Sequence, residues 1–133
     1  MKSKKERKEN LTQEKFYFVF FEGTYMPNNP KYIEIIVFDD VFYISNEKEE
    51  KENRGDMYWI MKVKKLIEDN LENIEKMEVS NGNPIKSSFN GKFILKIDNK
   101  IYEINRNICG EEGQKLFDDF KCKLYETLNI KDK

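Results

Sequence analysis

Aromatic and β-branched residues fill Phe16 to Phe21 without a single charge, and Glu22, Gly23 and Thr24 follow. A run of this kind predicts a strand, here Phe16 to Tyr25, that is buried on both faces or nearly so. Phe16, Phe18 and Phe20 share one side, and Tyr17, Val19 and Phe21 the other. Pro27 to Pro30, with two asparagines between the prolines, reads as a loop. Tyr32 to Phe38 is the second strand, Asp39-Asp40 a turn, and Val41 to Ser45 the third strand, which makes an antiparallel meander.

Glu47 to Gly55 contains no apolar residue and reads as a charged loop. Asp56 then stands at an N-cap position. Beyond it, Ile60, Val63, Ile67, Leu71 and Ile74 recur at the three- and four-residue spacing of an amphipathic helix. Gly82 and Pro84 lie past its end.

The second half has the same order. Ile85 to Phe89 reads as a short strand, and Asn90-Gly91 carries the signature of a type I′ hairpin turn. Lys92 to Ile97 is a strand, Asp98-Asn99 a turn, and Lys100 to Ile104 a strand. A helix follows from about Glu111, with Glu111 and Glu112 in its first turn, where negative charge suits the helix dipole. Its buried stripe is Phe117, Phe120, Leu124 and Leu128.

The order therefore reads βββα-βββα, with half-repeats over 15–77 and 78–133. FDDVFYISN and IDNKIYEIN match at Asp39/Asp98, Tyr43/Tyr102 and Asn46/Asn105, and KKLIEDNL rhymes with CKLYETL. The apolar alternation slips by one between the copies, since Ile44-Ser45 aligns with Glu103-Ile104. The expected fold is α+β: an antiparallel sheet of about six strands with two amphipathic helices on one face, the economical way to bury both stripes.

Composition narrows the function classes. A chain of 133 residues is expected to be one domain, here 15–133, behind a charged, flexible segment at 1–14. Aromatics make up 14% of it, which argues for a folded core. No histidine is present, which removes imidazole acid–base chemistry and imidazole metal ligation. Net charge is −1, without the basic excess of a protein that coats duplex nucleic acid. Alanine is absent, arginine is confined to Arg7, Arg54 and Arg106, and lysine, asparagine and isoleucine abound. That bias is what AT-rich codons impose, so lysine and asparagine runs carry little functional weight. Two cysteines, no apolar leader at the N-terminus and no membrane-length apolar run lead to the expectation of a soluble, cytoplasmic protein without membrane contact.

Candidate chemistry is thin. Asp39-Asp40, with Glu34 and Glu22, is the one carboxylate group that invites a metal or an acid/base pair. Adjacent strand residues point to opposite faces, however, and Asp favours turns. Asp118 and Asp119 lie about 100° apart on their helix. Cys122 is expected on the exposed side of the last helix with no base to activate it, and Cys109 is expected buried. In CGEEG the two glutamates would repel an anion at the helix start. No catalytic, cofactor-binding or metal-binding residue is assigned, and the chain is not expected to be an enzyme.

A partner surface is better motivated. Tyr58 and Met61 fall off the apolar stripe of the first helix, Trp59 sits on its other flank, and Tyr125 falls off the stripe of the last helix. Tyr, Trp and Met are enriched at binding surfaces. The resulting expectation is a non-catalytic module that binds another protein, as an inhibitor, an immunity or anti-defence protein or an adaptor does. The alternative is a nucleic-acid binder using the basic N-terminal arm and sheet aromatics, which the absence of Lys or Arg from Phe16 to Phe21 disfavours. A carboxylate metal-dependent enzyme ranks last.

Overall fold

The computed structural model describes residues 3–24, 31–79 and 89–130. Its strands are β1 (Tyr17–Thr24), β2 (Lys31–Phe38), β3 (Val41–Asn46), β4 (Glu50–Arg54), β5 (Phe89–Ile97) and β6 (Lys100–Asn105). Its helices are α1 (Lys4–Glu9), α2 (Tyr58–Asp69), α3 (Leu71–Val79) and α4 (Gly110–Thr127), with a 3-10 turn over Leu11–Gln13. Among the described residues the strands form one antiparallel sheet in the order β4-β3-β2-β1-β5-β6. The architecture is α+β, as the periodicities imply.

β1 is central because it is apolar on both sides. It pairs with β2 through Phe18–Val37 and with β5 through Phe18–Leu95, and so joins the two halves of the chain. Phe18 and Phe20 point to the helix layer and are fully buried. Ile60, Val63 and Ile67 from α2, Ile74 and Met77 from α3, Phe117, Phe120 and Leu124 from α4, and Leu128 at the α4 C-cap cover that face. Tyr17 turns the other way and joins Ile36, Phe38, Val41 and Tyr43 in a smaller core.

That smaller core is capped by the N-terminal stretch. Residues 4–13 form α1 and the 3-10 turn, and Leu11 packs on the sheet. Arg7 lies 4.2 Å from the centre of the Phe38 ring, pairs with Glu14 at 2.7 Å and reaches Asp40 at 2.7 Å. Lys4 and Lys8 both pair with Glu34, at 3.3 and 2.9 Å. The Glu14 hydrogen bonds, before all else, hold the Arg7 guanidinium above its ordinary pKa. Cations over aromatic rings and fork-like carboxylate pairs anchor a segment too polar to bury itself.

Several elements depart from the pattern-based expectation. The charged loop contains β4, whose five residues are all polar yet pair with β3 from Val41–Arg54 to Ser45–Glu50. Backbone ladder bonds, not side-chain burial, make it a strand, and charges on both faces are how edge strands avoid aggregation. Asn90-Gly91 is no turn: both residues lie inside β5, opposite Gly23 and Glu22. Gly91 serves close packing instead, since a Cβ there would stand 3.0 Å from the Phe117 ring. The left-handed hairpin turn falls at Asp98-Asn99, with φ of 51° and 64°. The strand expected at Ile85 to Phe89 lies almost wholly outside the described residues, as does the loop at Pro27 to Pro30.

The long helix divides at Asn70. The Asn70 side chain donates to the Leu66 carbonyl at 2.8 Å and accepts from Lys123 at 3.1 Å. Asparagine competes for backbone partners in this way and interrupts helices. α3 then restarts, with the Ile74 N–H donating to the Asn70 carbonyl at 3.0 Å.

The internal duplication is not confirmed. Tyr43 belongs to the smaller core and Tyr102 to the helix-face core, so the rhyming tyrosines lie on opposite sides of the sheet. Asp39-Asp40 also lacks the left-handed conformation of Asp98-Asn99. The slip in alternation is thus a real difference in facing.

Two substitutions test this core. Phe18→Ala is expected to lower unfolding stability by roughly 3–5 kcal/mol in urea titration, the range for a large aromatic lost from a core. Gly23→Ala is expected to cost about 1–3 kcal/mol by overpacking, because its Cβ would lie 2.6 Å from the Tyr32 Cβ on the paired strand.

Candidate functional site

The start of α2 concentrates exposed apolar area. Asp56, expected as the N-cap, accepts from the Tyr58 N–H at 3.0 Å, while Met57 occupies the cap position itself without a side-chain bond. The first helical bond runs from the Met61 N–H to the Met57 carbonyl at 2.8 Å. This geometry places Met57, Tyr58 and Met61 on the solvent side, 43%, 54% and 63% exposed. The Tyr58 and Trp59 rings meet edge to face at 5.1 Å, and the Lys62 ammonium lies 4.6 Å from the Tyr58 ring centre.

Trp59 is half-buried and faces inward from this patch. It walls a groove of about 600 Å³ whose apolar lining includes Ile33, Phe42, Ile44, Leu128 and Ile130. Lys51, Glu52 and Asn53 of β4 line it as well. An all-polar strand offers the helices nothing to bury, so the helix layer leaves a cleft where β4 begins. Tyr58, Trp59 and Met61 are thus brought together with Met57, which the sequence reading had passed over. The signal was present: Met57 and Met61 are four apart, and both fall off the apolar stripe.

Tyr125 does not belong to this surface. It is 6% exposed, and its hydroxyl donates to Glu22 at 3.0 Å. Glu22 is itself 8% exposed, with the Lys121 ammonium 3.2 and 3.1 Å from its two oxygens. The wheel had placed Tyr125 off the stripe, but α4 packs more than one flank against the sheet. A phenol on that flank is buried because a carboxylate there accepts its hydrogen bond. Beside this group, Arg106 grips Asp118 through two bonds of 2.8 and 2.9 Å. Those bonds hold the guanidinium above its ordinary pKa. The cluster positions α4 on the end of β1, and its groups are spent on one another.

The other carboxylates do not converge. Asp39 pairs with Lys64 and Asp40 with Arg7. Glu34 faces α1 and its lysines, whereas Glu22 lies under α4, on the opposite side of the sheet. Among the described residues, no three His, Cys, Asp or Glu side chains are grouped to hold a metal. Phe16, Phe18 and Phe20 are core residues.

Cys109 is buried, and its thiol donates to the Arg106 carbonyl at 3.4 Å. Burial pushes that thiol above its ordinary pKa, which disfavours the reactive thiolate. Cys122 is exposed.

No protein-family model matches the chain, and no curated protein is significantly similar to it. No helix among the described residues is long and apolar enough to cross a membrane.

The thiols give a direct check on this placement. Ellman's reagent at mildly alkaline pH is expected to titrate one thiol of the folded protein rapidly and the second only in denaturant. Cys122→Ser is expected to remove the fast phase; a fast phase that persists would mean that Cys109 is not enclosed.

Proposed function

We propose that this protein is a small, non-catalytic binding module that engages another protein through the start of α2 and the adjoining groove. The observation that carries the reading is the patch itself: Met57, Tyr58 and Met61 stand in solvent on one helix end, beside a cleft walled by Trp59. Large apolar side chains grouped in this way mark interaction sites more often than idle surface. Methionine suits such a site because its flexible side chain adapts to a partner. A half-buried tryptophan beside an exposed tyrosine supplies the residue types enriched at hot spots. Acting by occupying a partner's surface, as an inhibitor, immunity or anti-defence protein or adaptor does, requires no catalytic set.

The nucleic-acid alternative draws less support. The arm's Lys4, Arg7 and Lys8 are engaged by carboxylates of the same chain, and the strand aromatics on the helix side are core. A phosphate backbone would have to compete with those pairs.

The test is affinity capture from a cell extract, with and without nuclease, using the wild-type chain and Tyr58→Ala/Met61→Ala. Both side chains are exposed, so the variant is expected to fold. One protein captured in stoichiometric amount, insensitive to nuclease and reduced about tenfold or more by the double substitution, is the expected result. Equal capture by both chains would place the surface elsewhere, and loss on nuclease treatment would favour nucleic acid.

A further inference from the structure

α1 covers only part of the sheet face away from the helix layer. It sits over β2 and β3, where Arg7 meets Phe38 and Lys4 lies 5.8 Å from the Tyr43 ring centre. Beside it, over β1, β5 and β6, a trough of about 680 Å³ remains. Its apolar lining includes Val19, Phe21, Ile94 and Ile108. Ile108 is 45% exposed, and Ile101, next to Glu103 on the same face of β6, is 49% exposed. Among the described residues, these two isoleucines are the large exposed hydrophobic residues away from the start of α2.

The charges of this trough are unevenly committed. Lys8 and Glu34, on the α1 side, pair with each other at 2.9 Å. Lys92 and Glu103 are exposed and make no ion pair among the described residues. An occupant must therefore offer an apolar centre, a carboxylate for Lys92 and a cation for Glu103. This face presents that very set.

We propose that the trough is where a second copy of this chain docks, sheet face to sheet face, about a two-fold axis. The register supplies the geometry. Lys92 pairs with Asn105 and Ile94 with Glu103, so the four residues mark the corners of one rectangle on β5 and β6. Strands lie about 4.8 Å apart, and alternate residues about 6.8 Å apart. Ile94 and Asn105 share one diagonal, with Lys92 and Glu103 on either side of it. A two-fold axis along that diagonal brings Lys92 of each copy within about 3 Å, in projection, of Glu103 of the other, a gap that the long lysine side chain spans, and sets Ile94 against Ile94. Such an axis crosses the two sheets steeply, toward the orthogonal class of sheet packing. Isologous contacts need this kind of self-complementarity, in which each half of the pair recurs on the same surface. The trough and the start of α2 lie on opposite sides of the sheet, so neither surface depends on the other.

Sedimentation of the purified chain over a wide concentration range tests the proposal. The wild type is expected to dimerise. Lys92→Glu alone and Glu103→Lys alone each set like charges together twice, and each is expected to weaken the dimer by about tenfold or more. Lys92→Glu/Glu103→Lys in one chain restores opposite charges and is expected to recover dimerisation. Ile108→Glu, at an exposed position that leaves the fold intact, is expected to dissociate it. A wild type that stays monomeric throughout overturns the proposal and leaves the trough to some other occupant. A dimer that withstands both single reversals overturns it as well, because its interface then lies elsewhere.

Discussion

Phe18 and Phe20 are the constraint on which the rest of this molecule depends. Their rings engage Phe93 of β5 and Phe117 and Phe120 of α4 at centroid separations of 5.5 to 6.1 Å, and Phe93 in turn meets Phe117 and Phe120 at 5.9 and 5.4 Å. Each buried phenylalanine contributes about 1.5–3 kcal/mol by leaving water, and tilted or offset ring pairs add a little more. These contacts are non-local. They tie β1 to β5 and seat α4 across those two strands. Once β1 is central, its alternate residues are committed to the other face, and Tyr17 must find a second core there.

That commitment explains why the two faces differ. The helix face receives the residues of three amphipathic helices and closes except beside β4. The opposite face receives a six-residue helix that is polar throughout, held by ion pairs and by cations over rings, and the short 3-10 turn that carries Leu11. Such a cover extends no further than its own partners. It leaves β1 and β5 only partly covered at Val19, Phe21 and Ile94, which are apolar because a central strand has to be apolar on both sides. The groove at β4 has a related origin, since a strand made only of charged and polar residues cannot attract a helix. Both open surfaces are thus by-products of how the core is satisfied, and both are large enough to be useful.

The buried polar groups follow the same logic. Glu22 extends the alternation of β1 onto the helix side, where Lys121 and Tyr125 meet it. Breaking such a group by removing one partner costs far more than the group contributes when intact. Its value is in position, because it allows α4 one seat on the sheet. Asn70 does the same for α3, by ending α2 and accepting from Lys123 of α4.

Much of this was legible in the order of residues. β1, β2, β3 and β6, the apolar stripes of α2 and α4, the turns at Asp39-Asp40 and Asp98-Asn99 and the exposure of Tyr58 and Met61 all follow from local periodicity and turn chemistry. Those signals arise within a few residues and survive in any context. What failed was whatever depended on a distant neighbour. β4 is a strand because β3 lends it a ladder, although no side chain announces it. Asn90-Gly91 is a good turn pair that sits extended because Glu22 and Gly23 of β1 lie opposite. Tyr125 left the surface because Glu22, 103 positions away, accepts a hydrogen bond from its hydroxyl. The grooves belong to the same group, since a concavity exists only between elements. The sequence by itself determined most of the strands and helices and which of their sides would be apolar. Only the tertiary structure decided which apolar sides would meet, because burial is a property of pairs of surfaces and not of either one alone.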